Sequence, residues 1–580
     1  MKKLLKYLNS YKLESVLGPL FKLLEASFEL MVPLVMAKVI DVGIKNQDVS
    51  YILKMGGLLV LLGVIGLTCS ITAQYFAAKA AAGFGTSLRN DLFAHINRFS
   101  YAEIDKQGTA TLITRMTSDA NQVQSGVNLF LRLFLRSPFI VVGAMVMAFS
   151  IDVKAAMIFV VVIPVLSVVV FGIMLISMPL YKKVQRQLDR VLLTARENLS
   201  GVRVIRAFNR QDDEIRRFDE ENGLLVRFQI FVGKISALLN PLTYVIINLG
   251  IIVLIQTGAR EVEAGVITQG EVVALVNYMS QILVELIKLA NLIISISKAL
   301  ACANRINSVF EEKPGIVETV HTPVAAGLDA YKVEFKDMVF TYGGSKEPAL
   351  EGLSFQVKKG QTVGIIGGTG SGKSTLVNMI PRFYDVTEGS VLVDGTDVRK
   401  YPLDQLRGKI GVVPQKAVLF SGTLRDNMKW GRKDATDEEI YQALSVAQAF
   451  DFVKEKDEGL DLQIQAGGKN LSGGQRQRLT IARALVKRPE ILILDDSASA
   501  LDFATDARLR KAIKEGTKDM TVFLVSQRAT TIKNADQIIV LDDGKVAGCG
   551  THQELFDSCQ VYREICLSQL SKEEVQQHGN

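Results

Sequence analysis

The chain has 580 residues, 48% of them hydrophobic, with a net charge of +7. A mean hydropathy of +0.23, with the long apolar runs crowded into the first 300 residues, excludes an ordinary soluble globular protein and predicts at least two unlike domains. Five cysteines without CxxC spacing exclude a zinc ribbon or a disulfide framework, and the basic residues flank apolar runs, a membrane-topology pattern that leaves no nucleic-acid partner expected.

A basic start, Met1 to Lys12, leads into an apolar run too long for a signal peptide and without a small-residue cleavage site. It predicts the first membrane helix, since about 20 apolar residues cross the hydrocarbon core. Six such segments lie near 16–40, 51–80, 129–150, 155–180, 235–257 and 271–298, within a membrane domain over 1–305. The links after the second and fourth segments are long, polar and helical in spacing, with turns near 99–105 and 207–213. They carry the basic charge, for example Lys182, Lys183, Arg186, Arg190, Arg203 and Arg206, whereas the short links are nearly balanced. Lys and Arg stay on the cytoplasmic side. This predicts a multi-pass protein of a cell membrane, read as a bacterial plasma membrane, with both termini and both long links cytoplasmic.

Glu25, Glu29 and Glu285 fall inside apolar runs. Ionisable groups there either pair with a neighbouring helix or face a water-filled cavity, where they would suit cationic cargo. Pairing is the favoured expectation. Pro33, Pro138, Pro164, Pro179 and Pro241 predict kinks, because neighbouring helices can satisfy the freed carbonyls.

A linker over 306–330 leads to a domain over 331–570, followed by a polar tail over 571–580. The strand pattern Gln361-Thr-Val-Gly-Ile-Ile runs into Gly367-Gly-Thr-Gly-Ser-Gly-Lys-Ser-Thr375. This fits G-x-x-x-x-G-K-[ST], a loop whose backbone N–H groups wrap phosphates. Gly367, Gly370 and Gly372 supply the turn, Lys373 would reach the β- and γ-phosphates, Ser374 would hold Mg²⁺, and Thr375 opens the helix. A chance glycine turn would lack the strand before and the helix after. Ile491-Leu-Ile-Leu-Asp495 is a second buried strand ending in an acid, and Asp495 would share the Mg²⁺.

Between these motifs stands Leu471-Ser472-Gly473-Gly474-Gln475. With it the chain resembles, over essentially its whole length, an ATP-binding-cassette exporter half-transporter. The resemblance implies a membrane α-helical domain of six spans with long cytoplasmic extensions, followed by an α/β P-loop ATP-binding-cassette domain that uses ATP and Mg²⁺. It implies that Leu471–Gln475 faces the γ-phosphate held by a partner domain, and that Tyr342 stacks on adenine. It further implies that Gln415 touches Mg²⁺ and the attacking water, that Ser499 to Asp502 contacts the partner, and that the two link tips are coupling helices.

Two positions depart from the family. Asp496 stands where a glutamate normally orients the attacking water, and Gln527 stands where a histidine meets the γ-phosphate. Ala466 also replaces a usual glutamate. A carboxylate drawn back by about 1 Å can cost roughly 10²-fold in rate, and glutamine cannot carry the histidine's positive charge. The pattern matches the weak-site half of a heterodimeric exporter of small amphipathic compounds, multiple drugs foremost, whose other half has a consensus catalytic site. A homodimeric lipid or peptide exporter and an ATP-gated channel on the same scaffold are the competing expectations. A soluble cassette ATPase conflicts with the apolar spans, and an importer with the fusion of both domains.

Overall fold

In the computed structural model, residues 2–316, 331–497, 501–516 and 519–569 are described. The chain forms two compact units, one of residues 1–97 and 110–312, the other of residues 98–109 and 313–580.

The first unit is helical: α1 (Lys12–Lys38) and α2 (Val49–Ile96), then, past α3 (Tyr101–Gln107) of the other unit, α4 (Thr109–Thr114), α5 (Ala120–Leu133), α6 (Arg136–Ile151), α7 (Val153–Ser200), α8 (Val202–Ala207), α9 (Gln211–Ala237), α10 (Leu239–Glu263) and α11 (Gln269–Glu311). At 1.5 Å per residue the 48-residue α2 and α7 run about 70 Å, far beyond a hydrocarbon core of about 30 Å. Helical spacing in the long links therefore does become continuous helix. Capping fixes several starts: Asp48 accepts from Tyr51 N, Asp152 from Ala155 N, and Thr268 forms a capping box with Glu271.

Among the described residues, five stretches, Val49–Ile96, Thr109–Ile151, Val153–Ser200, Gln211–Glu263 and Gln269–Glu311, are long and apolar enough to cross a membrane. The expectation of six was drawn from hydrophobic runs alone, and α1 does not meet the same standard. Lys22, Glu25 and Glu29 sit in its middle. Their charges are answered by neighbours: Lys22 Nζ donates to Glu25 (2.6 Å) and to Ser70 Oγ on α2 (3.2 Å), and Arg136 donates to Glu29 (2.6 Å). α1 also lies close on a small-residue face of α2, where a Cβ on Gly18 would stand 3.3 Å from Ala77 N. Small residues allow such approach where no hydrophobic drive separates helix from lipid.

The expected alternative of open carboxylates for cationic cargo does not describe Glu285. It is 3% exposed and accepts from Arg136 (2.6 Å), Ser137 Oγ (2.7 Å) and Lys288 (2.9 Å). Pro33, Pro164 and Pro179 lie inside continuous helices. At the second link tip, Gly201 ends α7, α8 covers Val202–Ala207, and Asn209 (φ +56°) turns the chain into α9. The short helix thus precedes most of the 207–213 stretch.

The second unit holds a six-stranded sheet in the order β12-β11-β3-β10-β9-β6 and a four-stranded antiparallel sheet β2-β1-β4-β5. The strands are β1 (Tyr331–Phe340), β2 (Leu350–Lys358), β3 (Thr362–Gly367), β4 (Glu388–Val393), β5 (Thr396–Asp397), β6 (Ile410–Val413), the short pair β7 (Gly422–Thr423) and β8 (Gln463–Ile464), β9 (Ile491–Asp495), β10 (Thr521–Val525), β11 (Gln537–Asp542) and β12 (Lys545–Gly550). β3, β9, β10, β11 and β6 pair in parallel, and β9 and β10 are buried throughout. Such continuous aliphatic strands are what a sheet covered on both faces requires. Residues 317–330 of the linker, 571–580 of the tail, and Ser499 lie outside the described residues.

Candidate functional site

β3 delivers the chain to the nucleotide loop at the carboxyl end of the parallel sheet, where open α/β sheets bind ligands. Gly370 (φ +85°) and Gly372 (φ +92°) adopt the left-handed backbone that lets the loop curl. Gly367 is needed for another reason: a Cβ there would stand 2.1 Å from Leu541 O on β11. α12 (Lys373–Met379) begins directly after the loop.

Lys373 is almost fully buried, and its Nζ donates to Gly367 O (3.0 Å) and Gly368 O (2.6 Å). The ammonium therefore spans the loop it would share with phosphates. Burial pulls its pKa below the usual lysine value, against the opposing charges of Asp496 and Asp495. A phosphate would restore the preference for the charged form, since opposite charge nearby favours ionisation. Ser374 Oγ donates to Asp495 Oδ1 at 2.9 Å. Asp495 is 8% exposed, and burial, with the neighbouring Asp496 charge, pushes its carboxyl up.

These two oxygens form a hard-donor pair, with an acid that burial and Asp496 push up despite the neighbouring Lys373, which fits Mg²⁺. No cluster of three His, Cys, Asp or Glu exists among the described residues.

Asp496 follows at φ +44°, left-handed for a non-glycine residue, and Gln415 Nε2 donates to its Oδ2 at 3.3 Å. Gln415 is thereby brought to the acid pair. Tyr342 OH lies 2.9 Å from Thr375 Oγ1, and its ring packs edge-on against Phe340 and Tyr384. Gln527 is exposed, with its backbone O accepting from Gln569 Nε2 (2.7 Å). Asp502 accepts from Thr505 N (2.8 Å) and so caps the helix Phe503–Gly516.

Leu471–Gln475 stands apart from this cluster. Among the described residues no hydrogen bond or ion pair joins it to the nucleotide loop. Leu471 is buried, and Ser472 caps the helix Gly473–Val486 through a reciprocal box with Gln475. Arg476 Nη1 donates to Leu471 O (2.7 Å), bracing the turn. The Gly473 and Gly474 N–H groups at the helix start have no intrahelical acceptor.

One contact was missed by sequence reasoning. Tyr384 OH donates to Asp105 Oδ2 (2.7 Å), and Tyr101 packs on Phe383 with ring centroids 4.8 Å apart. α3, capped by Ser100 and Glu103 and stopped by Gly108 (φ +76°), therefore belongs to the nucleotide-domain unit. The Ser100-x-x-Glu103 box was a legible helix signal; its aromatic partners, almost 280 residues away, were not.

The family described as ABC transporter transmembrane region matches residues 15–286, and the family described as ABC transporter matches residues 350–499. An ABC transporter ATP-binding protein of Mycobacterium tuberculosis, itself uncharacterised, is 36% identical over 569 residues, 97% of each chain. The chain belongs to the ABC transporter family. Other relatives of this ABC transporter include YgaD of Bacillus subtilis, named for multidrug export (32% over 590 residues; 97% of this chain and 98% of that one). Another is an ATP-dependent lipid A-core flippase of Desulfotalea psychrophila (35% over 469 residues; 80% and 81%). A bacterial Atm1-family ABC exporter solved with ATP bound shares the fold, with a TM-score of 0.79 at 24% identity over 97% of this chain and 99% of that one. The protein is thus a membrane-embedded ABC exporter whose cassette places it among ATP-hydrolysing transporters.

Proposed function

We propose that this exporter chain is one half of a heterodimer, six helices crossing the membrane in each half, that moves amphipathic or hydrophobic compounds out of the cell. Multiple drugs are the leading cargo, and lipids the second. The relatives' names support both, one naming multidrug export and another a lipid flippase.

The observations that carry the asymmetric reading are Asp496, held beside Gln415, and the exposed Gln527. Asp496 ends one methylene short of a glutamate, and its carboxylate is engaged 3.3 Å from Gln415 Nε2. Gln527 supplies no positive charge. Binding does not need either group. Lys373 exchanges two loop carbonyls for phosphate oxygens, which are stronger, charge-assisted acceptors. Ser374, Asp495 and Gln415 would hold Mg²⁺, which would neutralise phosphate charge. Tyr342 leaves Thr375 to stack on adenine. The weak step is orienting water, because positioning contributes much of the rate in phosphoryl transfer.

The signature turn is intact. Ser472, Gly473 and Gly474 present donors to ATP held by the other half, whose site has the consensus glutamate and histidine. Closure of the two nucleotide domains then turns the membrane helices outward, and the Tyr384–Asp105 contact carries part of that motion into α3.

The test is ATPase activity of the purified chain, alone and co-assembled with a half-transporter encoded beside it. The chain alone should turn over slowly, and the pair should run at least tenfold faster. Full turnover by the chain alone would remove the asymmetric assignment.

A further inference from the structure

The membrane unit holds a cavity of about 410 Å³ between α1 and α11, walled in part by Glu29, Asn277, Ser280, Gln281, Glu285 and Lys288. Pockets of roughly 300–1,000 Å³ accommodate small molecules. On the protein side of this wall the charges are doubly engaged, though Arg136 Nε lacks a hydrogen-bond partner. Arg136, with its side chain 8% exposed, pairs with Glu29 and Glu285 at 2.6 Å each, and Glu285 also takes Ser137 and Lys288. On the cavity side they are not. Glu29, 39% exposed, gives Arg136 only its Oε2, and Lys288, 43% exposed, donates only to Glu285. Gln281 Oε1 is buried without a hydrogen-bond partner.

The charge count decides what can enter. Arg136 and Lys288 balance Glu29 and Glu285, and the nearby Lys22–Glu25 pair adds nothing. A lone cation or a lone anion would bring uncompensated charge into a low-dielectric interior, where it is strongly penalised. A molecule carrying both an ammonium and an anionic group brings no net charge. It offers Glu29 and Gln281 a donor, and Lys288 an acceptor.

We propose that this cavity is a subsite for a zwitterionic headgroup, its ammonium against Glu29 and its anion against Lys288. The assignment rests on the reading of the chain as an exporter of amphipathic compounds and names the cargo class within it. The same chemistry is offered by a phospholipid headgroup and by a soluble zwitterion.

The full chain in phosphatidylglycerol nanodiscs, without nucleotide, provides the test. Binding of radiolabelled dodecyl phosphoethanolamine, dodecylammonium and dodecyl sulfate is measured with empty discs subtracted. The zwitterion should bind at least about tenfold more tightly than either ion. Glu29→Gln should weaken it by about tenfold and shift preference toward the sulfate; Lys288→Gln should shift preference toward the ammonium. Opposite shifts from two neutralising substitutions cannot come from misfolding, and ATP binding by the same samples reports the fold. Competition by free glycerophosphoethanolamine, a net-neutral phosphodiester, identifies a soluble zwitterion as the ligand; competition only by the alkylated form identifies a lipid headgroup. Equal or tighter binding of dodecylammonium to the unmodified chain, or an unchanged order in both variants, would overturn the assignment. No hydrolysis enters this measurement, so its failure leaves the ATPase reading standing, and failure of the co-assembly test with intact ligand selectivity leaves this one standing.

Discussion

The phosphate-gripping corner and the water-orienting corner of the cassette lie within a few residues of each other, yet they differ in kind. The first is held by buried backbone: β3, β9 and β10 fix Gly367, Lys373, Ser374 and Asp495, and a Cβ at Gly367 has no room. The second depends on side-chain length and charge at strand ends, in Asp496 and Gln527. A fold can therefore keep its nucleotide loop while those two side chains vary, because no packing is lost.

The strongest way to break this comparison is to restore the second corner. Asp496→Glu with Gln527→His should raise ATPase of the chain alone by roughly 10–10²-fold while leaving ATP affinity within about twofold, measured by steady-state hydrolysis and nucleotide titration. An unchanged rate would mean that the deficit lies elsewhere.

A smaller effect is expected at the signature turn. Ser472→Ala removes the cap on the helix Gly473–Val486, a loss of about 1 kcal/mol, or about fivefold in the population of the ordered turn. The co-assembled rate should fall by at least that factor, with nucleotide binding at Lys373 unaltered. Loss of binding instead would place the signature turn in this chain's own site.

The smallest effect sharpens the first corner. Burial raises the Asp495 pKa above its unfolded value of 3.8, so the folded chain holds that proton more tightly than the unfolded chain. Stability then falls as pH rises from about 4 through the raised value. Asp495→Asn escapes this loss. Without nucleotide and Mg²⁺ it should melt about 2 °C higher than the unmodified chain at pH 7.5, a gain that vanishes toward pH 4. The same variant should lose Mg²⁺-dependent stabilisation by ATP. A lower melting temperature at neutral pH would show that the Ser374–Asp495 hydrogen bond outweighs the desolvation it opposes.

Much of this was legible in the chain itself. The nucleotide loop, the acid-ended strand and the signature turn are contiguous motifs, and their local geometry follows from glycine, a cap and an aliphatic run. Helical extension of the links followed from spacing alone. The charged centre of α1 was visible, but its consequence was not, because hydrophobicity read along one helix cannot see the partners on α2 and α6.

Sequence alone thus determined an ABC exporter's two-part build and the motif order of its cassette, since each resides in residues close along the chain. Tertiary structure decided where the distant charges meet. Arg136 reaches Glu29 across 107 positions and Glu285 across 149, and Tyr384 reaches Asp105 across 279. The Arg136 pairings turn two isolated membrane carboxylates into a balanced cluster with Lys288, because a buried charge must find its partner in space and no sequence period says which one it finds.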